Sequence, residues 1–419
     1  MSRRSTSVYT ICVVTSFPAA REPRAPKHVV AALEAFPTAE VYFVDMEAVE
    51  EHLGDPEELH GRSRLHRITL SVPTRKSRLL GWAYRRILSF LAMKFYSMTN
   101  RVTPAVLSPR AVGLVRCLRK IDADLYIAHN IDTLLPTAIS AHANQARLIF
   151  DCMEFYSDMG DSQTELECAA VAQIEAATLP CCDLVLATSE SLSEALRDTY
   201  KILAPLALLN VPPIVRTLPA RAPCAGLRLY WRNSVIGFGQ RGLDDALVAL
   251  TLLPAEVVLF LQGRLPLDGG RELRLRIAEL GLTRRVTILA PYSPGQAVAE
   301  AAVHDVGLCV ERRGPANHEY TVSNKLFDYM MAGLAVIVPD LDGLTRTVRY
   351  AKSGLIFKAG SPQSLAEQIL TLYREPKLLA AFATASRAYG LSVGNVENEM
   401  QKFKKALVAC VAATGQSEV

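Results

Sequence analysis

Asn317-His318-Glu319-Tyr320-Thr321-Val322-Ser323-Asn324-Lys325-Leu326-Phe327-Asp328-Tyr329-Met330-Met331-Ala332-Gly333-Leu334-Ala335-Val336-Ile337-Val338-Pro339 compresses a polar loop, a short helix, a stop and a strand into one segment. Ser323 or Asn324 is placed to cap the helix start. Gly333 suits a left-handed helix stop, and residues 335–338 read as a buried strand ended by Pro339. Lys325 and Asp328 are three apart, so they share a helix face near the end that attracts anions. A cation and a carboxylate there would suit a diphosphate and a ribose. The same spacing also describes an ordinary surface ion pair.

Working outward, apolar strand candidates fall at 8–14, 41–44, 125–128, 148–150, 184–187, 257–261, 286–289, 306–310 and 335–338. Helical patterns lie between many of them, at 27–35, 134–143, 165–178, 191–200, 243–252 and 270–280. Short continuous apolar strands alternating with helices imply parallel sheets covered on both faces. Right-handed crossovers make these doubly wound α/β domains. The stretch 204–223 carries Pro205, Pro212, Pro213, Pro219 and Pro223, which resist both helix and central strand. It divides the chain into an N-terminal domain, 1–205, and a second domain, 206–390, followed by a C-terminal helix in 391–419. Further helical patterns at 362–374, 376–388 and 396–412 close the chain.

At 419 residues the chain exceeds one ordinary core, and its 50% hydrophobic content marks it as globular. The formal charge of +4 is small for this length and does not suggest a nucleic-acid partner. Nine cysteines, with no Cys-x-x-Cys, indicate neither a zinc site nor a disulfide framework and fit a reducing compartment. The apolar run at 8–14 is too short for a membrane span and reads as a first strand, which points to the cytoplasm. One segment departs from the pattern. Residues 75–101 are rich in Arg and Lys, with Leu80, Tyr84, Ile87, Leu88, Leu91 and Phe95 at helical spacing. This is either an amphipathic helix packed on the N-terminal domain or an interfacial helix in peripheral contact with anionic lipid.

Candidate chemistry clusters at strand ends. His129-Asn130-Ile131-Asp132-Thr133 follows the strand at 125–128, where α/β folds bind ligands, although Asp132 or Thr133 could equally cap the next helix. Asp151-Cys152-Met153-Glu154 follows the strand at 148–150 and offers two carboxylates for acid, base or hydroxyl-acceptor work. Ile236-Gly237-Phe238-Gly239-Gln240-Arg241-Gly242-Leu243 places glycines and an arginine before a helix, as a phosphate site would. No P-loop, Gly-x-Gly-x-x-Gly after the first strand, Gly-x-Ser-x-Gly or His-Glu-x-x-His is present.

Together these residues resemble a retaining glycosyltransferase of the GT-B fold, close to family 4. The match runs through Glu22-Pro23-Arg24, His129-Asn130-x-Asp132-Thr133, Leu209-Asn210-Val211-Pro212, Gln240-Arg241-Gly242-Leu243 and His304-Asp305-Val306-Gly307-Leu308. It continues through Asn317-x-x-Tyr320-x-x-x-Asn324-Lys325-x-Phe327-Asp328-Tyr329-Met330 and Gly354-Leu355-Ile356-Phe357. The resemblance implies two Rossmann-like domains facing each other across a cleft, acceptor side first and donor side second, with the last helix packing back on the first domain. It implies transfer of a sugar from a nucleotide-sugar, UDP-sugar first and GDP-sugar second, to a glycan, lipid-linked or small-molecule acceptor in surface polysaccharide or glycoconjugate synthesis. No cofactor or metal is implied, and the location is the cytoplasm, extending to the inner face of the membrane.

The resemblance also implies residue roles. Asp328 accepts from ribose hydroxyls, and Lys325 and Arg241, with Gly242, meet the diphosphate. Asn317, Tyr320 and Asn324 shape the donor pocket. Glu154, Asp151, His129 and Asp132 form the catalytic set. Three departures stand out: Met153 where the family has His, Trp231-Arg232-Asn233 where it has a small residue, and Ser323 where it has Pro. Met offers no strong hydrogen bond, so a non-catalytic GT-B module that binds nucleotide-sugar or scaffolds a partner enzyme is the second reading.

Overall fold

In the computed structural model, residues 9–48, 54, 56–76, 79–108, 110–160, 163–223, 225–239, 241–291 and 294–412 are described. Val8, residues 77–78, Gln240 and residues 413–419 of the segments read above lie outside them. The chain forms two compact units, one of Met1–Leu208 with Met400–Val419, the other of Leu209–Glu399.

The first unit holds β1 (Thr10–Val14), β2 (Glu40–Ala48), β3 (Leu65–Val72), β4 (Leu125–His129), β5 (Arg147–Cys152), β6 (Leu184–Ala187) and β7 (Leu206–Ala207). They form one sheet in the order β3-β2-β1-β4-β5-β6-β7. The second unit holds β8 (Leu227–Val235), β9 (Val257–Arg264), β10 (Val286–Leu289), β11 (Val306–Leu308), β12 (Ala335–Pro339) and β13 (Gly354–Phe357), ordered β10-β9-β8-β11-β12-β13. The pairings in both sheets are parallel. Each sheet runs outward from its first strand, then reverses at the β1/β4 or β8/β11 neighbours. That reversal is the doubly wound arrangement, and it opens a crevice at the carboxyl ends of those strands.

Period-two alternation explains the cores. Along β8, Leu227, Leu229 and Trp231 enter one hydrophobic cluster with Leu259, Leu261 and Ile337, while Tyr230 enters another with Val336, Val338 and Tyr329. Both faces of the sheet are therefore apolar, as parallel sheets covered by helices require. In the first unit Ile11, Val13, Phe43, Ile127 and Ile149 are buried in a cluster that also takes Phe403 and Leu407 from the helix Val396–Ala412.

Strands β3, β7 and β8 are absent from the runs read in the sequence, and one helix packs otherwise than expected. β3 is an edge strand with exposed or half-exposed His66, Arg67 and Thr69, so it lacks the continuous apolar run that marks its neighbours. The helix Leu79–Thr99 forms, but Leu80, Tyr84, Ile87, Leu91 and Phe95 point to solvent. The packing of that stripe against the N-terminal domain is thereby corrected.

One glycine closes the loop between β8 and the helix Leu243–Thr251. Gly242 has φ 69, and a Cβ there would meet the Val310 carbonyl oxygen at 1.6 Å. Strain and backbone collision act together. Gly242→Ala is expected to cost about 2 kcal/mol or more, read as a lowered urea midpoint; an unchanged midpoint would refute the close approach.

Candidate functional site

In the second unit, the helix Asn324–Met331 starts at Ser323, which has N-cap backbone angles but whose side chain makes no capping hydrogen bond. Gly333, with φ 71, follows its last turn. Lys325 and Asp328 both lie inward and are buried, and they pair with other elements rather than each other. Lys325 Nζ sits 2.6 Å from Glu311 Oε1, beyond the end of β11, and 5.7 Å from the Trp231 ring centre. Asp328 accepts a hydrogen bond from the Arg232 guanidinium, in the C-terminal half of β8. Arg241 approaches Glu311 at 3.8 Å from the glycine loop and stays half exposed. Asn317 is buried and Tyr320 half-buried on the helix Ala316–Tyr320, while Asn324 is exposed.

Five charges thus converge: Arg232, Arg241 and Lys325 against Glu311 and Asp328. Burial raises the Glu311 carboxyl, but the charge and hydrogen bond of Lys325, helped by Arg241, outweigh it and hold Glu311 below its usual range. Glu311 is thus an anion at neutral pH. Sequence reading missed it; its one visible trace was an acid directly after the apolar run 306–310. The surface-pair reading of Lys325 and Asp328 fails because both are buried against partners on other elements. With net positive charge at a helix N-terminus, the site suits an anion.

In the first unit, the β4–β5 register sets His129 opposite Asp151. Arg24, at the start of the helix Ala25–Ala35, engages both carboxylate oxygens of Asp151 at 2.7 and 2.8 Å and donates to the Leu208 carbonyl at 2.8 Å. His129 Nδ1 lies 3.1 Å and His28 Nδ1 3.9 Å from the same carboxylate. All four residues are buried. Burial alone would raise Asp151, yet Arg24, followed by His129 and His28, holds it far below the usual carboxylate range. Asn130 has φ 69 and is held by hydrogen bonds from its Nδ2 to Thr15 Oγ1 (3.2 Å) and Glu22 Oε2 (3.3 Å). A non-glycine residue in that region costs energy that the surrounding network must supply.

Asp132 opens the helix Ile131–Ala143 beside Ser16, Ser108 and Arg110, and burial raises its carboxyl. Met153 and Glu154 are half-buried, with the Met153 carbonyl accepting from Thr188 at 2.9 Å. The structure thus joins His129 to Asp151 and places Asp132 in the first turn of the helix after β4 and Glu154 in the loop after β5. His28, His129 and Asp151 offer ligand atoms within 4.8 Å of one another. The fork of Arg24 already occupies both Asp151 oxygens, so a metal there would lie against a cation in a dry site.

This architecture is the GT-B fold. Residues 236–375, including Arg241, Glu311, Lys325 and Asp328, match the family described as Glycosyl transferases group 1. No curated protein matches the chain. Similar solved structures include Anabaena Alr3699/HepE in complex with UDP and glucose, at 16% identity and a TM-score of 0.66, covering 96% of this chain and 100% of that one. The sucrose-phosphate synthase of Thermosynechococcus elongatus is similar at 14% identity and 0.68, covering 97% and 100%. WaaG, a glycosyltransferase involved in lipopolysaccharide biosynthesis, is similar at 15% and 0.60, covering 95% and 99%.

Two outcomes follow from the first-unit network. Asp151→Asn leaves Arg24 buried without a counter-charge and is expected to cost about 3–5 kcal/mol in chemical denaturation; a loss within about 0.5 kcal/mol, the size of an ordinary surface change, would contradict the pairing. Burial also pushes the His28 imidazole well below its usual range, with Asp151 only partly offsetting it. Unfolded histidine takes up a proton near pH ~6.5 while buried His28 does not, so stability is full above that pH and falls as acid is added. Glu175, raised by burial to about 7, works in the opposite direction. The comparison with His28→Gln isolates the histidine: the variant should lose less stability between about pH 7 and pH 5. Parallel pH profiles would show that His28 titrates normally.

Proposed function

We propose that this chain is a retaining glycosyltransferase that moves a sugar from a nucleotide-sugar to a glycan, lipid-linked or small-molecule acceptor. The observation carrying this is the buried set Lys325, Arg232 and Asp328 with half-exposed Arg241 around one helix N-terminus, all but Arg232 inside the segment that matches the transferase family. In this reading Lys325 and Arg241 meet the diphosphate, Gly242 lets the backbone approach it, and Asp328 accepts from the ribose hydroxyls. Asn317, Tyr320 and Asn324 shape the walls.

The demand on such a site is charge. As the bond between the anomeric carbon and the diphosphate oxygen breaks, negative charge grows on the leaving group and positive charge on the sugar. Cations already fixed in place stabilise the first. The acceptor hydroxyl then bonds the anomeric carbon on the same face and gives up its proton. His129, Asp132, Asp151 and Glu154 are our candidates for the acceptor side. Arg24 makes Asp151 a residue that orients His129, and Glu154, half-buried in the loop after β5, is the carboxylate we offer to receive a proton.

UDP-sugar is the donor we favour, because HepE has been solved with UDP-glucose as well as with UDP and glucose. We assign no metal to the chemistry and no nucleic acid to the partners. The glycan product belongs, in our reading, to surface polysaccharide or glycoconjugate synthesis. Eight cysteines among the described residues are free, which supports a cytoplasmic site of action, and residues 75–101 supply peripheral contact with the membrane. No helix among the described residues is long and apolar enough to cross a membrane. Met153 favours a second reading, a module that binds nucleotide-sugar without turnover; sugar transfer from labelled UDP-sugars to cell lipid extract separates the two.

Calorimetry with UDP and GDP tests the donor pocket. UDP should bind, and Lys325→Ala should weaken it at least about tenfold, about 1.4 kcal/mol. Glu311→Gln removes the charge that competes for Lys325 while keeping its shape, so it should tighten UDP. Absence of binding by either nucleotide would end the transferase reading, and equal affinity in all three proteins would remove Lys325 and Glu311 from the pocket.

A further inference from the structure

The helix Leu79–Thr99 carries its apolar face outward. Its buried residues are Ala92 and Tyr96. Centred about 120° away around the helix, Leu80, Tyr84, Ile87, Leu91, Phe95 and Met98 fall within an arc of about 80° at 3.6 residues per turn. Their exposures run from 44% for Phe95 to 87% for Leu80. A surface helix of a globular protein shows the reverse pattern, so this stripe is built to be covered by something.

Charge identifies the cover. The helix has Arg85, Arg86 and Lys94 and no acid. Residues 59–121 contain 14 Lys and Arg and not one Asp or Glu, in a chain whose other residues hold 32 Lys and Arg against 42 Asp and Glu. A modest net charge of +4 therefore conceals a segregated basic stretch. Self-association through a two-fold axis would set this patch against itself, bringing two basic surfaces together. An anionic leaflet meets both demands at once, taking the apolar stripe into its acyl boundary and the cations at its headgroups.

We infer that the helix Leu79–Thr99 lies in the plane of a bilayer surface rich in anionic lipid and anchors the first unit there. This deepens the membrane contact proposed above and rests on the exposed helix alone, so it stands or falls apart from sugar transfer. It commits the face to lipid, inserted by its apolar stripe and oriented by Arg86 and Lys94.

Sedimentation of the full chain with phosphatidylcholine vesicles, with and without phosphatidylglycerol, tests it. Binding to the anionic vesicles should exceed binding to neutral ones about tenfold and weaken in high salt. Ile87→Ser with Leu91→Ser should abolish binding in both salts, and Arg86→Glu with Lys94→Glu should remove the preference for anionic lipid. All four residues are exposed or half exposed, so both double variants should keep the wild-type melting temperature and UDP affinity. No vesicle binding by the wild-type chain would overturn the inference. So would binding indifferent to the serine substitutions, or a wild-type dimer that those substitutions dissociate while vesicles remain unbound.

Discussion

Two buried acids hold the cations of the second unit: Glu311 takes Lys325 and Asp328 takes Arg232. None of these charges could stand alone out of water, since an unpaired buried ion costs several kcal/mol. The rest of the site follows from that need. Arg232 must sit in the C-terminal half of β8 and Glu311 beyond the end of β11, and the strand order makes those two strands neighbours. The helix Asn324–Met331 then lowers Lys325 and Asp328 onto them. An incoming anion would meet cations already committed to internal acids, so its binding is an exchange of partners and not the filling of an empty charged cup.

The first unit solves the same problem differently. Its order also reverses at β1/β4, and the polar groups again gather there: Thr15 after β1, His129 and Asn130 at the end of β4, Asp151 in β5. Arg24 closes this network by bonding both Asp151 oxygens, and His28 stacks on Phe403 at 4.0 Å. This is a rigid arrangement with one carboxylate serving three neighbours. Met153 sits two residues beyond Asp151 and leaves the ion pair intact.

Much of the fold was legible because buried parallel strands read as continuous apolar runs. Residues 335–338 and 184–187 announce themselves in this way, whereas β3, polar on one side and at a sheet edge, does not. Lys325, Asp328 and Arg241 were legible as a set through spacing and resemblance. Their partners were not. Glu311 looks like a loop acid until the β11–helix geometry shows what it touches, and Arg232 stands out only as a bulky residue where a small one is expected until it is seen on Asp328. The periodicity of 79–99 was plain, but a hydrophobic stripe has no sign that says whether it faces core or solvent. Only the packing of Ala92 and Tyr96 decides that.

A structure of the chain with UDP bound is the most direct measure of the donor-site account. It should show the diphosphate against Lys325 and Arg241, a ribose hydroxyl on Asp328, and Lys325 drawn away from Glu311. UDP bound elsewhere, with the Lys325–Glu311 and Arg232–Asp328 pairs unchanged, would contradict it.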